Sequence, residues 1–254
     1  MGSTAVLDQL IANAWPPAEV QSLGGWRFRW TSGVTRRANS ALPVGNPAQA
    51  PELVEFGEDF YRRRGGAPRF QVSDASAPVG LDRYLTARGY VPDTRTFVMV
   101  IETKRLIEST SPGSWTMTTS PAATTAWFES YWTSGPSQVL GSEDARICRE
   151  ILLAPATPSY FVLLQEGGEN VSIGQVVIEG SWGGLQCIAT IAAHRRRGAG
   201  AAVLHHLGLV ALASGAERLY LAATADNQPG RSLYERCGFV VAHEYTYYSC
   251  SVNG

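Results

Sequence analysis

Two short phrases in the last quarter of this 254-residue chain hold chemistry-bearing residues at fixed spacing. The first is Arg195-Arg196-Arg197-Gly198-Ala199-Gly200, which follows a strand-like segment at 185–191 and opens an apolar run at 201–213 with helical periodicity. A strand thus turns into a helix through glycines. At such a junction the first backbone N–H groups lack intrahelical partners and the helix dipole favours an anion. The N–H groups of Arg196 through Ala201 therefore suit a pyrophosphate. Glycine lets the phosphate approach the main chain and supplies positive φ where the turn needs it. The second phrase begins about thirty residues later: Asn227-Gln-Pro-Gly-Arg-Ser-Leu233-Tyr234-Glu-Arg-Cys-Gly238-Phe239. Asn227 ahead of Pro229 is a helix cap, a ligand donor, or both. A nucleotide P-loop fits less well, because Ala201 and Ala202 stand where its Lys-Ser/Thr would be, and there is no G-x-G-x-x-G with a ribose-binding acid.

Together the two phrases resemble the signature segments of the GNAT acyltransferases, over roughly residues 161–249. The resemblance implies acetyl-CoA as cosubstrate, no metal, and Arg195, Arg196, Arg197, Gly198, Ala199, Gly200 and Ala201 around the pyrophosphate. The backbone of Ile188, Ala189 and Thr190 would pair with the pantetheine as a short extra strand. It also places the acyl carbonyl at the Ile188 N–H, a fixed dipole for the oxyanion, and Tyr234 where many members keep the acid that protonates the departing sulfur. A phenol of ordinary pKa near 10 is a sensible donor to a thiolate of about 8.5 or higher. For the general base Glu179 is the first choice, with Glu166, Glu169 or a water chain as alternatives, while His194, His205 and His206 are less suited. The chain departs from the family's V-x-P-x-x-R by having Thr190, Ala192 and Arg195, which loosens a turn without removing a donor.

The elements around these phrases are legible from periodicity. Helices are expected at 121–132 and 142–153, strands at 160–164, 172–178 and 185–191, a strand at 218–223, a helix ending near Arg236, and paired strands over 239–250. The front has a strand at 26–30, a helix at 51–61 and a strand at 69–73, and the segment Leu81 to Tyr90 echoes Leu233 to Phe239 without a preceding phosphate loop. A strand at 96–102 would join the two parts. The expected fold class is α/β (α+β): a GNAT fold with a central mixed, mostly antiparallel twisted sheet flanked by helices. Residues 1–95 form a degenerate GNAT-like half and 96–254 the catalytic domain. This arrangement is similar to a group of actinobacterial two-part GNAT proteins, some labelled N-acetylglutamate-synthase-like. Arg36, Arg37, Asn39 and Ser40 cluster after a front strand and are candidates for the acceptor site, with a solvated hairpin or an arginine ion-pair network as the competing reading.

Composition narrows the partners. With 21 Lys+Arg against 22 Asp+Glu the net charge is −1, which speaks against a nucleic-acid binder. Of the basic residues Lys104 is the one lysine, a bias that follows from a GC-rich genome, although arginine is also the better fork for phosphate and carboxylate. No stretch reaches the roughly 20 apolar residues of a membrane span, and the start lacks a signal-peptide pattern, so the expected location is cytoplasmic. Cys148, Cys187, Cys237 and Cys250 have no metal-site spacing and read as reduced thiols. The expected activity is transfer of an acetyl group from acetyl-CoA to a primary amine of a small molecule, amino acid or peptide, with a homodimer left open. The rival expectation is a coenzyme-A-binding sensor or interaction protein without turnover.

Overall fold

Alternation of apolar and polar residues, interrupted by glycines, sets the elements seen in the computed structural model, which describes residues 4–45, 50–74, 78–134 and 141–250. The first three residues of the start read above for a leader lie outside them. The chain divides into two compact units: Met1–Val98 with Thr224–Asp226 and Ala242–Gly254, and Met99–Ala223 with Asn227–Val241.

In the first unit helix α1 (Thr4–Ala14) precedes β1 (Glu19–Leu23), β2 (Trp26–Trp30), β3 (Ala41–Leu42), α2 (Ala50–Arg62), β4 (Arg69–Ser73) and α3 (Leu81–Ala87). Strand β5 (Val91–Glu102) then carries the chain into the second unit, and the final strand β11 (Val240–Ser249) returns most of its length to the first. The order β1-β2-β3-β4-β11 is antiparallel except for β3 with β4. Strand β2, Trp-Arg-Phe-Arg-Trp, sorts its side chains by face: Trp26 and Phe28 are fully buried in an aromatic core with Phe70, Val54, Tyr61, Leu85 and Tyr90. The β1–β2 turn needs Gly25, at φ 84, because a Cβ there would lie 2.5 Å from the Val44 carbonyl oxygen.

The second unit holds α4 (Thr103–Ser109), β6 (Thr116–Ser120), α5 (Thr125–Ser134), α6 (Ser142–Leu153), β7 (Ser159–Glu166), β8 (Glu169–Glu179) and β9 (Trp182–Thr190). Helix α7 (Ala199–Ala213), β10 (Arg218–Thr224) and α8 (Gln228–Arg236) follow. The strand order is β10-β9-β8-β7-β6, with β6 through β9 an antiparallel meander and β9–β10 parallel. Helix α7 is apolar nearly all round because it is covered on several sides: Gly174 of β8 leaves room for Leu207, and Gly208 faces Leu106 and Ile107 of α4. Trp127 of α5 is buried, with its indole N–H donating to the carbonyls of Val162 and Gly174 at 3.1 and 3.2 Å.

Three expectations change. Residues 240–249 form one long strand rather than a pair, since no turn residue interrupts them and Tyr245–Ser249 pair along β4. The helix expected from Pro121 starts at Thr125, after β6 has paired with β7. Helices α1 and α4 and strands β1, β3 and β6 were not among the expected elements, although Leu7, Leu10, Ile11 and Ala14 of α1 recur at helical spacing.

Candidate functional site

Strand β9 gives the site its shape. It pairs with β10 over three residues, ending at Gly184 opposite Tyr220, although β9 runs on to Thr190. On its other side β8 stays in register until Gln175 meets Gln186, then skips, and resumes where Ile173 meets Ala189. Cys187 and Ile188 therefore share one partner position, and Cys187 adopts φ 55. This is a β-bulge, which twists a strand and re-aims its N–H groups. Past the bulge, Ser172 of β8 steadies the strand, its hydroxyl donating to Ala189 O at 2.8 Å and lying 3.0 Å from the Thr190 hydroxyl.

Beyond Thr190 the chain makes a short 3₁₀ turn, Ala192–His194, closed by His194 N–H to Ile191 O at 2.9 Å and Arg195 N–H to Ala192 O at 3.3 Å. The turn forms without the family's proline. Arg195 Nε donates back to Thr190 O at 3.1 Å, Arg196 takes φ 64, and Gly198, at φ 90, is the residue from which α7 starts. Arg195 through Gly198 are exposed. The N–H groups of Ala199 and Gly200 are in the first turn of a 15-residue helix and have no intrahelical acceptor, whereas Ala201 and Ala202 both donate to Gly198 O at 3.0 Å. Positive φ is thus the reason for glycine at 198. At 200 a Cβ would lie 2.8 Å from the Leu233 side chain of α8, so glycine there also lets the two helices meet.

Arg197 is partly committed. Its guanidinium donates to Glu166 at 2.9 Å and lies 3.0 Å from His194 Nδ1, and His194 also approaches Glu169. Glu166 and Glu169, alternatives for the base, thus flank the β7–β8 turn and hold the loop. Trp115, which the sequence reading did not single out, lies against the same loop: a Cβ at Gly198 would be 3.7 Å from its ring.

Tyr234 lies on α8, 8 % exposed, with its ring 6.0 Å from that of Phe239. Burial, followed by the nearby sulfurs of Cys187 and Cys237, pushes its phenol up to about 12. The group therefore keeps its proton at neutral pH. Cys187, in the bulge, is thus among the groups acting on that phenol. Asn227 is a helix cap: its side chain accepts from Gly230 N–H at 3.1 Å, ahead of Pro229.

Glu179 ends β8 at the turn to Trp182, five residues, or about 17 Å along a strand, from Gly174 beside the bulge. Arg36, Arg37, Asn39 and Ser40 belong to the first unit. There Arg36 makes a two-pronged pair with Asp93 at 2.8 and 3.1 Å, and Arg37 lies 5.2 Å over the Trp15 ring. Asn39 and Ser40 are buried; Asn39 accepts from the Thr31 and Gly33 N–H groups and donates to the Val34 and Thr35 carbonyls. Cys187 had no sequence signal, because a bulge is a mismatch between two strands and is written in neither. Among the described residues no cluster of three His, Cys, Asp or Glu could hold a metal, and no helix is long and apolar enough to cross a membrane.

With this geometry in place, three comparisons are informative. Residues 5–248 match the family described as probable histone acetyltransferase Rv0428c, C-terminal. The Bacillus subtilis (strain 168) protein named uncharacterized N-acetyltransferase YobR is 27% identical over 242 residues, covering 95% of this chain and 96% of its own. Among solved structures, a GCN5-related N-acetyltransferase from Kribbella flavida superposes with TM-score 0.75 at 17% identity, covering 100% of this chain and 97% of the other. A tandem GNAT protein from the clavulanic acid biosynthesis pathway gives 0.69 at 13% identity, covering 96% and 87%.

Proposed function

The chain belongs to the Rv0428c C-terminal acetyltransferase family and has the GNAT fold, and from this premise we propose that it transfers the acetyl group of acetyl-CoA to a primary amine, with the reacting atoms between the β9 bulge and Tyr234. The observation that carries this reading is the parting of β9 from β10 after Gly184, which leads to a bulge beside a buried phenol at one end and a glycine-started helix at the other.

In this reading Ala199 and Gly200 N–H groups, with the exposed Arg195 and Arg196 nearby, hold the pyrophosphate of the cosubstrate. The main chain of Ile188, Ala189 and Thr190 hydrogen-bonds the pantetheine in strand fashion. Acetyl-CoA supplies an activated acyl thioester. The Ile188 N–H, fixed by the bulge, faces the oxygen that gains charge. Tyr234, protonated throughout the working range, presents its O–H to the sulfur as negative charge develops there. Asn227 caps the helix that carries Tyr234 and so acts by holding that side chain in place. The amine must arrive neutral. Glu179, five residues along β8 from Gly174, takes the amine's proton through a water chain, with Glu166 and Glu169 as alternative bases.

Calorimetric titration with acetyl-CoA, run beside an assay of released coenzyme thiol against a panel of amines, tests the proposal. Binding with turnover of at least one primary amine is the expected result. Binding without turnover across the panel would favour the sensor reading, and absence of binding would end both.

A further inference from the structure

The first unit has a buried polar layer on one face of its sheet. Along β11 the side chains of His243, Tyr245 and Tyr247 alternate inward, and Tyr245 and Tyr247 stand opposite Ser73 and Gln71 of β4. Cross-strand partners share a face. Arg29 of β2 joins this layer: Nε donates to Ser40 O at 2.9 Å, and Nη2 donates to Ser40 Oγ at 2.7 Å and to Gln71 Oε1 at 3.0 Å. From α1, Asp8 accepts from the Ser73 hydroxyl and pairs with His243 Nε2 at 2.9 Å.

Arg29 has no carboxylate among its hydrogen-bond partners or among the groups acting most strongly on it. Asp8 has His243 beside it, but the guanidinium of Arg29 is 0% exposed, and the groups acting most strongly on it are the phenols of Tyr247, Tyr61 and Tyr245 and a second cation, Arg27. Burial drives the phenols of Tyr61 and Tyr247 far above their ordinary range, so they stay neutral and supply no negative charge. Asp93 is held by Arg36 and approached by Arg69. Arg29 Nη1 is buried and has no hydrogen-bond partner among the described residues. A guanidinium does not shed its proton in a protein, and a buried charge without a counter-charge is strongly disfavoured.

We propose that Arg29, held by Ser40 and Gln71 so that Nη1 is left over, is a binding site for a small monocarboxylate. A carboxylate matches the planar fork of arginine, and one cation among neutral hydroxyl and amide groups suits a single negative charge. The segment over the site is the 31–40 loop that ends in Ser40. Two of its non-glycine residues, Ser32 and Thr35, have φ of 49 and 64, and the Asn39 side chain ties the turn together. Strained backbone of this kind persists where surrounding bonds hold it and is common at ligand clamps. The site lies wholly in the first unit and does not depend on the acetyl-CoA reading.

The test is thermal unfolding of the full chain in sodium acetate against sodium chloride at matched ionic strength. Acetate at ten times its dissociation constant should raise Tm by about 3 °C beyond chloride. Arg29→Gln should abolish the difference, while Gly198→Asp, which alters the anion site at the coenzyme loop, should keep it. If Arg29→Gln does not fold, Arg29→Lys retains the charge without the fork and should weaken acetate about tenfold. Equal shifts in acetate and chloride, an acetate shift that survives Arg29→Gln, or unchanged acetate affinity in Arg29→Lys would each overturn the site.

Discussion

The ends of α3 and α8 are built to one local plan and used differently. In α3, Gly89 takes φ 91, its N–H bonds Thr86 O, and the Tyr90 N–H bonds Leu85 O, both at 3.0 Å. In α8, Gly238 takes φ 92, its N–H bonds Glu235 O, and the Phe239 N–H bonds Tyr234 O, again both at 3.0 Å. This is the Schellman arrangement, in which a left-handed glycine lets the last carbonyls of a helix find donors. The residue whose carbonyl accepts the bond that spans more of the chain is Leu85 in one helix and Tyr234 in the other. Leu85 is fully buried in the aromatic core of the first unit, whereas Tyr234 brings a protonated phenol beside the β9 bulge. The backbone motif is therefore a device for ending a helix, and the chemistry depends on which side chain occupies one position of it.

The comparison is broken most severely at the element that α3 lacks, the glycine-started phosphate loop. Gly198→Asp should eliminate measurable acetyl-CoA binding in a folded protein, because it places a side chain at φ 90 and a negative charge at an anion site; wild-type affinity by calorimetry would remove the loop from the coenzyme site. Next in size, Leu85→Ala should destabilise the chain by about 2–5 kcal/mol through an unfilled core cavity, with turnover by the folded fraction unchanged. Denaturant titration alongside kinetics checks both halves of that statement. Tyr234→Phe should do the reverse: stability nearly kept, acetyl-CoA affinity kept, and turnover down by ~10²-fold. Because burial raises the Tyr234 phenol to about 12, the wild type should show no loss of kcat/KM from this group below about pH 11. A falling limb near pH 10 that vanishes in Tyr234→Phe would show instead an ordinary phenol.

The smallest expected effects sharpen the shared part. Gly89→Ala and Gly238→Ala should each cost about 1–2 kcal/mol for the left-handed conformation. The second should lie at the upper end, since its Cβ would come within 3.3 Å of Ile101 while nothing crowds position 89. Stability losses in this range for both, with a loss of activity for Gly238→Ala alone, would confirm that one cap serves two purposes.

Local rules made a good part of this legible. Gly198, Gly238 and Asn227 are positions where backbone conformation or an orphan N–H dictates the residue type, so the strand–loop–helix and the capped α8 follow from sequence alone. The same holds for β2 and β4, whose alternation has period two. Gly200 was legible as a required glycine, but its packing against Leu233 was not, since Leu233 comes from another helix.

What the chain order could not express is which strands meet and in what register. The bulge at Cys187 exists because β8 and β9 fall out of step opposite Gly174, and the place where β9 leaves β10 depends on Tyr220 lying against Gly184. Glu179 was legible as the end of a strand, and only the register shows that it stands opposite Trp182. Arg29 was hidden for the same reason: an arginine in an alternating strand reads as solvent-facing, and it became a buried cation when α1 and the 31–40 loop covered that face. Sequence determined the conformations each segment prefers, because those depend on near neighbours along the chain. Tertiary structure decided which groups share a site and which charges are stripped of water, because both depend on contacts between residues far apart in it.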